Sequence, residues 1–213
     1  MPPMNPARRR ALADTAIELL ASSGVHGVTH RAVEKEAGLP PGTASNYFRS
    51  REALLVAAAE RIVELHHADT DRATEQATAQ PVTLVDLLTE SLFTAATTLR
   101  SRYLAIFELQ LEATRRPVLA SALAALQGAA VQVTAGHHGK LGLTTPHATI
   151  SALITFYEGA LFTLLTAPPG SVSRDAVQDM VRVVVHGCGI PEEAFAPAGP
   201  ADAHPADRPA PSS

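Results

Sequence analysis

Apolar positions recur at three- and four-residue intervals along almost the whole chain, the spacing of one face of an α-helix. Sustained alternation of apolar and polar residues is nearly absent, and no Asn-Gly or Asp-Gly hairpin step occurs. The pattern predicts an all-α protein of about nine helices. Asn5-Pro6 opens a first helix with Ala11, Ile17, Leu20 and Ala21 inside, and Gly24 ends it. Thr29 caps a short second helix and Gly38 stops it, since glycine tolerates the left-handed conformation needed there. Pro41 suits the first turn of a third helix, where its missing N–H costs nothing. Ser50 caps a fourth, with Glu52 well placed in its first turn and Leu54, Leu55, Ala58, Ile62 and Leu65 as its apolar stripe.

Pro81 and the capping-box-like pair Thr83 and Asp86 mark a fifth start, with helices expected over 83–99, 101–115 and 117–136. Pro117 opens the last of these. Thr145-Pro146 begins another helix and the Pro-Pro-Gly at 168–170 ends it. Ser173 begins the final one, which Gly187 and Gly189 close. From about Ala194 the composition, AFAPAGPADAHPADRPAPSS, buries nothing and reads as a disordered tail. The expected organisation is a small head over 1–52, a larger helical domain over 53–193, and a tail over 194–213.

With 213 residues, 46% of them hydrophobic, the chain can bury a core without covalent staples. Its one cysteine, Cys188, excludes an internal disulfide and any multi-cysteine metal site. The start, MPPMNPARRR, lacks the apolar stretch of a signal peptide, and no apolar run approaches the length that crosses a bilayer. A cytoplasmic protein with no membrane partner is expected. His66-His67 and His137-His138 are adjacent pairs that point different ways on a helix. Neither a nucleophile elbow nor a phosphate-binding loop is present, so no metal, cofactor or enzymatic activity is expected.

The formal net charge of -4 is unevenly distributed. Up to residue 51 there are seven Lys and Arg against four acids, giving +3 and leaving -7 for the remainder. A basic head on an acidic body points to a polyanionic partner for the head.

That head contains two short helices, about three residues of turn, and a Pro-Gly step into the second helix: the spacing of a helix-turn-helix. Val33, Ala37, Leu39, Ala44 and Phe48 supply its internal core. His30, Arg31, Thr43, Ser45, Asn46 and Tyr47 are left outside, and their types suit phosphate and base-edge contacts. The third helix can be short because DNA, rather than protein, receives its outer face.

The run from Gly27 to Leu55, GVTHRAVEKEAGLPPGTASNYFRSREALL, resembles the DNA-binding segment of the TetR family of bacterial transcriptional regulators. The matching elements are Val28-Thr29, Ala37-Gly38-Leu39, Gly42-Thr43, Tyr47-Phe48 and Ser50-Arg51-Glu52-Ala53-Leu54. Ser45-Asn46-Tyr47 departs from the larger aromatic or basic residues usual in the recognition helix, and Arg51 stands where lysine is commoner. The resemblance implies that Thr29, His30, Arg31, Pro41, Gly42, Thr43, Ser45, Asn46, Tyr47 and Arg51 meet double-stranded DNA. Arg31 would reach a base edge, Thr29 and Arg51 the phosphates, and Tyr47 the DNA backbone through its hydroxyl. Arg8, Arg9 and Arg10 either reach a neighbouring groove or form a solvated terminus.

The resemblance further implies a homodimer built from the last two helices, with Leu153, Leu161, Leu164, Val177, Val181 and Val184 at the interface. It also implies a pocket for a small, mostly apolar inducer, with Phe93, Tyr103, Phe107, Gln110, Leu111, Phe156 and Tyr157 as its lining. Together these describe a ligand-responsive repressor on a palindromic operator, with the long fourth helix joining head to body. The alternative is a helical ligand-binding or enzymatic protein whose helix-turn-helix only stabilises the fold.

Overall fold

The computed structural model describes residues 5–77, 83–140, 142–168 and 170–190. Among them are nine α-helices: α1 (Pro6–Gly27), α2 (His30–Glu36), α3 (Thr43–Tyr47), α4 (Arg51–Ala77), α5 (Leu84–Ala96), α6 (Arg100–Ala113), α7 (Pro117–Lys140), α8 (His147–Thr166) and α9 (Arg174–Gly187). Pro81 and the tail from Ala194 lie outside the described residues.

Local chemistry sets most of the boundaries. Asn5 accepts the N–H groups of Ala7 and Arg8 at the start of α1, and Ser50 accepts that of Ala53 at the start of α4. Thr83 and Asp86 form a reciprocal capping box on α5, and Ser173 caps α9. Gly24, with φ of 65° and ψ of -179°, breaks the helical geometry of α1 one turn before its end. The inner stripe of α1 is Leu12, Ala13, Ala16, Ile17 and Leu20; Ala11, expected inside, is exposed. Pro41 is not in the first turn of α3: the helix starts two residues later, after Gly42 in the left-handed region.

Two apolar clusters hold the helices together. The first joins Leu12, Leu20, Val33, Ala44 and Phe48 to Leu54, Leu55 and Ile62 of α4, and continues into Ile106 and Leu109 of α6 and Leu119 of α7. The expected boundary at 52/53 therefore falls inside one continuous core. The second joins Leu84 and Leu92 of α5 to Leu153, Leu161 and Leu165 of α8 and Val177, Val181 and Val185 of α9. Tyr103 on α6 packs against both.

Helices α7 and α8 are, by length and composition alone, long and apolar enough to cross a membrane, which differs from the sequence expectation. Runs of Ala, Thr, Gly and Leu with almost no charge produce this property in each. Here α7 packs on α4 and α6, and α8 packs on α5, α7 and α9.

Candidate nucleic-acid interface and ligand region

The head is assembled from caps. Thr29 Oγ1 accepts the Ala32 N–H at 3.1 Å and so starts α2. The Leu39 N–H donates to the Glu34 carbonyl at 2.9 Å, while Gly38 takes φ of +64°, and together they end it. Val33 and Ala44 are fully buried and Phe48 nearly so, with Ala37 and Leu39 packed against them, which locks α2 and α3 as one unit. Phe48 also receives the Arg9 guanidinium over its ring at 5.4 Å, and Arg9 pairs with Glu60 at 3.2 Å. Arg9 is thus a bracket between α1, α3 and α4, while Arg8 and Arg10 remain exposed.

Arg31, Ser45 and Asn46 present exposed side chains on α2 and α3, with Thr29, Pro41 and Gly42 exposed beside them. Thr43 donates its hydroxyl to the Pro40 carbonyl at 2.6 Å, leaving oxygen lone pairs but no proton to offer. Tyr47 packs its ring against the core and accepts the Asn5 N–H at 3.2 Å, so its own proton can still be donated outward.

Two expected DNA contacts are turned inward. His30 is half-buried, and its Nε2 donates to the Phe48 carbonyl at 2.8 Å. Among the described residues no group of three metal-binding side chains gathers. Arg51 directs Nε to the Val28 carbonyl at 2.8 Å and a second nitrogen to the Val25 carbonyl. It closes the C-terminal end of α1 from the start of α4, and these donors are not available to phosphate. Both partners are distant in sequence, so neither the motif nor its spacing shows these bonds.

Glu34 was not singled out from the sequence. It is only 6% exposed, and its Oε1 accepts the Ala44 N–H at 2.7 Å in the first turn of α3. A glutamate on the inner face of a short amphipathic helix was the available signal.

The expected pocket residues divide into two groups. Phe93, Tyr103, Phe107 and Tyr157 are half-buried against the second cluster, and Gln110 is half-buried on α6. Leu111 and Phe156 instead face outward at 63% and 54% exposure. Tyr157 borders a cavity of only about 10 Å³ shared with Leu88, Leu92, Leu153, Met180 and Val181. Its hydroxyl meets the Ser91 hydroxyl at 2.8 Å, and burial pushes the phenol well above its usual range, so it stays protonated. A larger cleft of about 400 Å³ lies elsewhere, where Ile17 and Glu18 of α1, Arg61 and Leu65 of α4, and Leu99 and Arg102 before and within α6 come together.

The expected dimer stripe is also corrected. Leu153, Leu161, Leu164, Val177 and Val181 are buried within the single chain, and Val184 packs against them. Helical periodicity identified the buried faces of α8 and α9, but those faces meet each other and α5. The apolar residues left outside are Phe156 and Phe162 on α8, at 54% and 50% exposure, and Val183 on α9 at 73%.

A helix-turn-helix head continuous with an all-α body defines a class of DNA-binding regulators rather than enzymes. The family described as "Bacterial regulatory proteins, tetR family" matches residues 12–58, and "Tetracyclin repressor-like, C-terminal domain" matches 79–187. The chain belongs to the TetR family of transcriptional regulators. The HTH-type transcriptional regulator BetI of Rhizobium meliloti (strain 1021) is 41% identical over 54 residues, 25% of this chain and 27% of that protein. The match therefore spans about a quarter of that curated relative. The multidrug binding protein EbrR complexed with ethidium aligns with a TM-score of 0.62 at 26% identity, covering 86% of this chain and 99% of that one. A transcriptional regulator from Saccharomonospora viridis in complex with choline aligns with a TM-score of 0.67 at 21% identity, covering 85% and 97%, and shares the fold.

Proposed function

We propose that this protein is a cytoplasmic, ligand-responsive repressor that binds a palindromic operator as a homodimer. The observation that carries the reading is the outer face of the helix-turn-helix. Arg31, Ser45 and Asn46 lie exposed on it, and no protein partner holds them among the described residues. Arg31 offers a fork suited to guanine O6 and N7, and Asn46 an amide suited to adenine. Thr29 and Tyr47 flank them with hydroxyl protons for phosphate. Two such heads related by a two-fold axis would enter successive major grooves about 34–36 Å apart.

The exposed Phe156, Phe162 and Val183 support dimerisation through the outer faces of α8 and α9. Apolar side chains this exposed on two adjacent helices are a natural seam for a second copy. The ligand reading draws on EbrR, which is complexed with ethidium, and on the aliphatic lining around Tyr157. A small, mostly apolar molecule entering between α5, α8 and α9 would have to open the present cavity, with the Tyr157 and Ser91 hydroxyls as its polar contacts.

The test is selection of duplex DNA from a randomised pool by the full chain. The expected result is a palindrome whose affinity falls steeply with salt. Recovery of no sequence, or of a single asymmetric half-site, would refute the reading. Titration of the bound palindrome with a panel of mostly apolar molecules that do not intercalate into DNA then tests release.

A further inference from the structure

Helix α3 contains five residues and lacks a side-chain cap of its own, because Gly42 occupies its N-cap position. So short a helix is not stable by itself and takes its orientation from its surroundings. The apolar contacts beneath it, made by Ala44 and Phe48, are non-directional and do not by themselves fix its rotation.

Both of its ends are held by α2. At the N-terminal end the buried Glu34 carboxylate accepts the Ala44 N–H at 2.7 Å. At the other end His30 Nε2 donates to the carbonyl of Phe48, the C-cap residue, at 2.8 Å. His30 and Glu34 are four residues apart, so they stand one turn apart on the same face of α2. The polarity is matched at each end: an anionic acceptor meets the helix N–H groups and a donor meets its carbonyls.

We propose that His30 and Glu34 act as a two-point clamp that sets the rotation of α3 and thereby which bases Ser45 and Asn46 read. The proposal rests on the reading of α3 as the base-reading helix. Neither clamp residue touches DNA; both are positioning residues. Base-edge recognition requires side chains held to within roughly half an ångström, and the two hydrogen bonds, beside that from the Asn5 N–H to the Tyr47 hydroxyl at 3.2 Å, supply directional restraint that packing lacks. Without Glu34 the buried Ala44 N–H loses its acceptor, and α3 can regain one only by turning or fraying.

The experiment uses the full chain, the palindrome it selects from randomised DNA, and a scrambled duplex of the same composition. For each of wild type, Glu34→Ala, Glu34→Gln and His30→Ala, the ratio of the two affinities is measured with the thermal midpoint and the exchange rate of the Ala44 amide. Glu34→Ala and His30→Ala should each lower the ratio by about tenfold or more, the scale of one lost base contact, while binding to the scrambled duplex is kept. The Ala44 amide should exchange faster in Glu34→Ala. Glu34→Gln keeps an acceptor at the same place and should keep the wild-type ratio. The clamp is overturned if Glu34→Ala and His30→Ala retain that ratio, if they weaken both duplexes equally, or if Glu34→Gln falls as far as the alanine variant. Should Glu34→Ala fail to fold, His30→Ala and Glu34→Gln decide by the same criteria. If the wild type selects no sequence, the base-reading assignment of α3 fails instead, and the two failures are distinguishable.

Discussion

Glu108 Oε2, on α6, accepts the Val25 N–H at the kinked end of α1 at 3.1 Å. Arg51 holds the carbonyl of the same residue from the other side, so Val25 is gripped by both body and head. Helix α6 is the main partner of α1, and α1 in turn packs on α2. Glu108→Ala should lower stability by about 1–3 kcal/mol, because a part-buried N–H loses a charged acceptor. Gly24→Ala should also destabilise, since φ of +65° strains any side chain and an added Cβ would lie 3.3 Å from Glu108 Oε2. Urea melts of the single and double variants check this: the double variant should lose less than the sum, because Glu108→Ala removes the crowding.

Arg31 and Arg51 should behave as opposites, although both sit in the motif. Arg31→Ala should weaken the selected operator by about 1–3 kcal/mol and relax preference at one base pair, with little change in melting temperature. Arg51→Ala should instead lower the melting temperature, because the Val25 and Val28 carbonyls lose a guanidinium partner, and should leave the salt slope of DNA binding unchanged. A reduced salt slope in Arg51→Ala would restore its phosphate role.

The outer and inner faces of α8 should likewise separate. Phe156→Glu or Phe162→Glu places a charge on an exposed face and should yield a folded monomer in analytical ultracentrifugation. Leu161→Glu places it in the second core cluster and should abolish cooperative unfolding altogether. A Phe156→Glu, Phe162→Glu double variant that sediments as a dimer would remove this face from the interface.

Acid sensitivity should trace in part to Glu112. Hydrogen bonds from Arg116 at 2.5 Å and Arg115 at 2.9 Å hold its carboxyl down from the ordinary 4.5 to about 2. A carboxyl depressed on folding contributes stability that is fully present above pH 4.5 and is lost as pH falls through about 2. Glu112→Gln should therefore flatten the loss of stability between pH 5 and pH 2 relative to wild type, as read by urea melts across that window. An unchanged acid limb would show that the pair contributes nothing there.

What could be read from sequence follows the range of each interaction. Thr29, Ser50, the Thr83–Asp86 pair and Ser173 cap groups within three residues of themselves, so their roles were visible in the chain. The core residues Val33, Ala44 and Phe48 were visible for the same reason, because helical spacing assigns a buried face. His30 and Arg51 were not, since their acceptors lie 18 and 23 residues away and only the folded turn brings them near. Periodicity tells that Leu161 and Val181 are buried, yet it is silent about what covers them. The Glu34 contact has the same character: its partner is ten residues distant across a turn.

The division of labour between α2 and α3 bears on how such a head can change its target. With its ends held by another helix, α3 needs only Ala44, Tyr47 and the bond from Thr43 to Pro40 for its own structure. Ser45 and Asn46 carry no structural duty, and Arg31 is equally unencumbered on α2. If they read bases as proposed, these three positions form a short alphabet that mutation can rewrite without unfolding the protein. On that reading a new operator preference is within reach of one or two substitutions, and duplicated copies of such a gene could diverge in target while sharing one scaffold.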